Sequence, residues 1–179
     1  ATGAKTATLD PMQRRTLLRL GIGSAVLLAL AGGGAQLLRP GLQQGRLGAP
    51  AREVLHAVAR AVLDGSLPED AAMREAALQA QVDRVEALIM GLPAATQREL
   101  SQLLGLLGTA AGRMALAGLT APWTQASVAQ LQQALEALRQ SKLSLRRQAY
   151  HGLCDLTNAA FYAVPGHWAL MGYPGPTEP

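Results

Sequence analysis

One cysteine, three histidines and six aromatic residues among 179 are too few for several classes of protein. The lone Cys154 cannot close an internal disulfide, nor can it furnish a cysteine-rich zinc or iron–sulfur site. His56, His151 and His167 show no His-x-x-x-His, Cys-x-x-Cys-His or Glu-x-x-x-His spacing. Covalent haem attachment is excluded on that motif, and no metal cluster is legible. The chain also lacks Gly-x-Gly-x-x-Gly, a phosphate-loop lysine motif and Gly-x-Ser-x-Gly, and its Gly32-Gly33-Gly34 run has no strand ahead of it. No stretch alternates apolar and polar residues over a strand length, and no Asn-Gly or Asp-Gly pair separates two apolar stretches.

What is present is apolar. Hydrophobic residues make up 49% of the chain and charged ones 16%, a composition that builds a core. The formal charge of +4 invites a nucleic-acid reading, but its distribution argues against one. Lys5, Arg14, Arg15 and Arg19 precede residue 36, where Asp10 is the sole acid, so residues 36–179 carry twelve basic and eleven acidic side chains. A nearly neutral body lacks the phosphate-neutralising charge of a general nucleic-acid binder. The local cluster of Arg139, Lys142, Arg146 and Arg147 reads as a solvated helix face or helix end.

Helical periods run through most of the body. Residues 36–49, punctuated by Pro40, Gly41, Gly45 and Gly48, read as a linker. Leu55, Val58 and Val62 share one side of a first helix over 51–64 that Gly65 closes. Ser66, followed three residues later by Glu69, is the expected cap of a second helix, with Leu78, Val82, Val85 and Ile89 on its face and Gly91 at its end. Pro93 opens a third helix, striped by Leu100, Leu103, Leu104 and Leu107 and stopped at Gly108. A short helix or ordered loop follows. Thr124 or Ser127 caps the next helix, which carries Val128, Leu131, Leu135 and Leu138. Trp123 stands at its mouth as a packing staple and is also a candidate anchor for a partner. The last long helix, about residues 143–163, uses Leu145, Ala149, Leu153, Leu156 and Ala160, and Pro165 ends it. The expected fold is all-α, a compact bundle of four or five helices.

Candidates for chemistry are sparse. Cys154 and His151 lie three apart on the last helix, which permits a thiol and base to face each other, although a cysteine between Leu153 and Leu156 is ordinarily buried filler. A noncovalent haem held by a histidine and a methionine is the corresponding electron-transfer reading. Asp155 is either a buried carboxylate needing an arginine such as Arg98, Arg113 or Arg147, or an outward-facing acid on the same helix.

The amino-terminal stretch has a clearer character. Arg14 and Arg15, followed after one residue by Leu17 and Leu18, enter an apolar run from Leu20 to Ala35. This order resembles a twin-arginine export leader, a receptor-read address that implies the twin-arginine translocase and passage of a folded protein into a bacterial periplasm. At 1.5 Å per residue the run spans about 24 Å as a helix, short of a roughly 30 Å hydrocarbon core. Cleavage after Ala31 or Ala35 and retention as a membrane tether both fit residues 1–35.

Five of the six aromatics lie beyond residue 149. Phe161-Tyr162 ends the last helix, Pro165 stops it, Trp168 follows, and Gly172-Tyr173-Pro174-Gly175-Pro176 closes a non-periodic tail over 165–179. Ordering such a tail is costly unless it docks on something. Together with the leader, these residues resemble the small subunit of membrane-associated flavin-dependent sugar and alcohol dehydrogenases, the gluconate 2-dehydrogenase small-subunit family. The resemblance implies a non-catalytic helper that assists folding, export and stability of a large FAD-containing subunit of the glucose–methanol–choline type. FAD then resides in that partner and no cofactor in this chain, with a cytochrome c or quinone-linked subunit as electron acceptor and the complex attached to the inner membrane. Phe161, Tyr162, Trp168, Tyr173, Pro174 and Pro176 become candidate interface residues. A membrane-tethered electron-transfer module and an autonomous periplasmic helical protein are the alternatives.

Overall fold

The computed structural model describes residues 40–172, and the chain divides between Arg39 and Pro40 into two units. The described fold is that of the second unit. The leader residues Arg14, Arg15, Leu17 and Leu18 and the tail residues Tyr173, Pro174 and Pro176 lie outside it.

The fold is an all-α bundle. Its centre is α1 (Ala49–Val62), which buries Ala51, Val54, Leu55, Ala57, Val58, Ala59 and Ala61. A helix apolar on most of its circumference belongs inside a bundle, and its alanines let neighbours approach from several directions. Accordingly α1 packs against each of the other long helices: α2 (Ala71–Met90), α3 (Ala94–Leu107), α5 (Val128–Arg139) and α6 (Ser144–Tyr162). Between α3 and α5 the chain makes a three-residue turn, α4 (Ala110–Gly112), which passes into a π turn over Arg113–Ala117.

The second helix starts later than its sequence suggests. Ser66 donates its N–H to Leu63 O and so completes the exit from α1, while Asp70 caps α2 by accepting from Met73 N at 2.8 Å. The α2 stripe of Leu78, Val82, Val85 and Ile89 is buried, and so is Gln81. Leu78 shares a cluster with Phe161 and Gln81 donates to Thr157 O at 2.7 Å, so α2 and α6 run antiparallel. Of the two candidate caps for α5, Ser127 serves, in a reciprocal capping box with Gln130.

Part of the expected linker is ordered. Leu42–Gln43 and Arg46–Leu47 form a minimal antiparallel hairpin, β1 and β2, with Leu42 opposite Leu47. Its two turn residues, Gln44 (φ 51°) and Gly45 (φ 77°), are both left-handed, the conformation of a two-residue hairpin turn. Gly41 N–H donates to Ser101 O at 2.9 Å, and a Cβ on Gly41 would stand 2.7 Å from Leu104 Cβ. Only glycine lets the hairpin lie this close to α3. From the other side, Glu86 on α2 accepts from Leu47 N at 3.0 Å and from Arg52 at 3.3 Å. The hairpin is thereby clamped between two helices.

Candidate functional site

The carboxyl end of α6 is closed by its own continuation. Beyond Tyr162 the chain forms a 3-10 segment over Pro165–Met171, which turns back on the helix. His167 Nδ1 donates to Phe161 O at 2.7 Å, an acceptor that places the proton on that nitrogen, and Trp168 Nε1 donates to Tyr162 O at 2.8 Å. Phe161 O also accepts from Val164 N at 3.3 Å, and the Trp168 bond occupies a terminal carbonyl of the kind a helix end leaves without an intrahelical partner. The Phe161 and His167 rings stack with centroids 4.0 Å apart. Phe161 is buried beneath this cap with Ala59, Leu63 and Leu78. Tyr162 and Trp168 are half-buried, and Leu170 is 58% exposed.

Two proposed interface anchors therefore belong to the interior. Trp123 is 3% exposed and donates its indole N–H to Leu107 O at 2.8 Å, covering the end of α3. Phe161 is also 3% exposed. Both were candidates because large aromatics anchor interfaces, but a chain with so few of them spends two on its own core. Among the described residues, Tyr162, Val164, Trp168 and Leu170 are accessible apolar side chains at this end.

Midway along α6 an open cleft of about 270 Å³ lies between α1, α5 and α6. Ala61, Val62 and Leu135 supply apolar walls, and Gln132, Glu136, Tyr150, Cys154 and Asn158 supply polar groups. Burial pushes the Cys154 thiol up to about 11, against a smaller lowering by its hydrogen bond with Tyr150. Tyr150 is raised by burial and then by Cys154. His151 is exposed and meets the edge of the Tyr150 ring at 5.3 Å. A neutral thiol bonded to a neutral phenol is the opposite of an activated nucleophile. Asp155 faces solvent, so the outward reading holds for it.

The α5–α6 turn gathers the basic cluster. Arg139 pairs with Glu136 through two bonds of 2.6 and 2.7 Å. Arg147 folds over the turn, its Nη1 donating to Ser141 O at 2.7 Å and Lys142 O at 3.0 Å. Leu143 occupies the N-cap position of α6 without a side-chain cap and is 64% exposed. The cations were legible in the sequence; the leucine among them was not singled out, although a leucine at a helix start is itself a signal.

Between α1 and α2, Arg52 reaches Asp83 at 2.5 Å, and His56 meets Glu75 at 3.2 Å. The Glu75 carboxyl is lowered, first by its hydrogen bond from Gln79 and then by His56. These links tie α1 to α2. Among the described residues, no group of three or more His, Cys, Asp or Glu side chains could hold a metal, and no helix is long and apolar enough to cross a membrane. No family model, no curated protein and no solved structure matches the chain.

Proposed function

We propose that this chain is the non-catalytic small subunit of a large FAD-dependent alcohol or sugar dehydrogenase of the glucose–methanol–choline type. In this reading it assists folding, twin-arginine export and stability of the flavoprotein, and the reacting groups lie in the partner. The observation that carries it is the cap on α6. The bonds from His167 and Trp168 hold an ordered 3-10 segment that keeps Leu170 in solvent. This places an apolar side chain on a rigid mount immediately ahead of the Tyr173-Pro174-Gly175-Pro176 segment, as a docking element requires. The unactivated Cys154 thiol supports a helper rather than an enzyme.

Affinity capture of the tagged full chain from membranes and periplasm tests the proposal. A much larger chain with flavin absorbance should co-purify, and Leu170→Asp should release it while leaving the helical circular-dichroism signal unchanged. Recovery of the chain alone from both fractions overturns the reading, as does normal export of the captured flavoprotein in a strain lacking this chain.

A further inference from the structure

We propose that the α5–α6 turn is a membrane-contacting surface, in which Leu143 enters the headgroup boundary of an anionic bilayer while Lys142, Arg146 and Arg147 engage lipid phosphates. The proposal does not depend on a flavoprotein partner.

Three observations converge on it. Among the described residues Leu143 is the most exposed of the large hydrophobic side chains, at 64%, and it lies in the turn between two helices. Its immediate surroundings are of one sign: from residue 137 to residue 154 there is no acid. Arg139 is neutralised by Glu136, but among the described residues no carboxylate pairs with Lys142, Arg146 or Arg147. The rest of the body is close to neutral, so this is a local concentration of cations and not a share of a general excess.

The third observation separates this surface from a merely solvated helix end. An N-cap selects Ser, Thr, Asn or Asp, whose side chains satisfy the free N–H groups of the first turn. The same chain uses Asp70, Thr109 and Ser127 in that way. At α6 it has leucine instead, with no cap bond. The starts of α1 and α3, at Gly48 and Pro93, also lack a side-chain cap bond, but α6 alone among these helices places a large, exposed aliphatic side chain at that position. A large aliphatic side chain left exposed where a polar cap is preferred is a local rule broken, and such breaks concentrate at sites that serve something outside the fold. An exposed leucine among cations fits the bilayer interface, where the leucine is buried at headgroup depth and the cations meet negative charge. Free inorganic phosphate or a polyanion would use the cations and leave Leu143 in water.

The experiment uses the full chain, labelled with an environment-sensitive nitrobenzoxadiazole dye on Gln140→Cys at the turn, or on Gln102→Cys on α3 as control, each with Cys154→Ala. Phosphatidylglycerol vesicles should shift the emission at position 140 to the blue. Phosphatidylcholine vesicles should not, and position 102 should stay unshifted with both. Neutralising two cations, Lys142→Gln with Arg146→Gln, should raise the lipid concentration at half-shift more than about tenfold, because each basic residue near such a surface contributes about a fivefold factor. Leu143→Asn should abolish the shift while holding or raising the melting temperature, since it restores a cap. Equal shifts at both labelled positions, equal response to the two lipids, or an unchanged shift in Leu143→Asn overturns the proposal. So does a response to heparin with none to vesicles, which would assign the cluster to a polyanion.

Discussion

The two ends of α6 stand about 28 Å apart, and each displays an exposed leucine in a different setting. At the carboxyl end Leu170 rides on a segment pinned by His167 and Trp168, above the buried ring of Phe161. At the amino end Leu143 stands on an uncapped first turn among cations. One end is closed by the chain's own aromatic groups, and the other is left unfinished. The contrast shows that the exposed large apolar side chains at the two ends are aliphatic, not aromatic. Two of the scarce aromatics, Trp123 and Phe161, are drawn fully inward, and an aliphatic side chain that breaks a local preference can carry more information than a tryptophan.

Replacing the two side chains should break the symmetry most sharply. Phe161→Ala removes a ring from a closed cluster and should cost about 3–5 kcal/mol in urea unfolding, enough to threaten the fold of a marginally stable domain. Leu143→Ala should stay within about 0.5 kcal/mol. Comparable losses at both ends would mean that Leu143 is part of the core and that the two ends are alike.

Between the ends, the Gln81 side chain crosses from α2 to Thr157 O, and Thr157 Oγ1 donates to Leu153 O at 2.8 Å. Gln81 is 1% exposed. Gln81→Ala should therefore cost about 1–3 kcal/mol, an intermediate penalty, and hydrogen exchange should quicken in the carboxyl half of α6 more than in its first turn. Uniform loss of protection along the helix would show that its two ends open together.

Periodicity revealed the bundle because four helices repeat leucine and valine at helical spacing and bury them: Leu78, Val82, Val85 and Ile89 on α2 are one complete example. The hairpin is not legible in the sequence because its strands are two residues each and its turn is Gln-Gly rather than Asn-Gly. What fixes it is long-range, the contact of Gly41 with α3 and of Leu47 with Glu86. The α2 cap is Asp70 and not Ser66 because the chain over 66–70 is not helical and it is Asp70 Oδ1 that reaches the first-turn N–H of Met73. Of the surface features, the cations of the α5–α6 turn could be read directly, but their lack of carboxylate partners depends on which helices come together. The inward turn of Trp123 and Phe161 is likewise a tertiary outcome, since sequence position alone does not say which aromatic faces a core.

The smallest effect lies at the cleft between the two ends and has a defined pH window. An unfolded chain ionises its thiol near 9.0, whereas the folded chain holds Cys154 protonated to about 11 because burial disfavours the thiolate. Below pH 9 both states carry the proton and the group does not change stability. As pH rises from 9 toward 11 only the unfolded chain releases it, so stability falls, by at most about 1.4 kcal/mol per pH unit for one such group. Tyr150 adds a second contribution of the same sign, beginning at higher pH because its ordinary value is 10.0. Cys154→Ala should therefore remove the early part of the decline and leave the later part, measured as the urea midpoint at steps across pH 8–11. An unchanged decline from pH 9 in that variant would place the sensitive group elsewhere. Rapid alkylation of Cys154 by iodoacetamide at pH 8 would show that the cleft leaves the thiol open to solvent and ionised, which would restore it as a reactive group between the two ends.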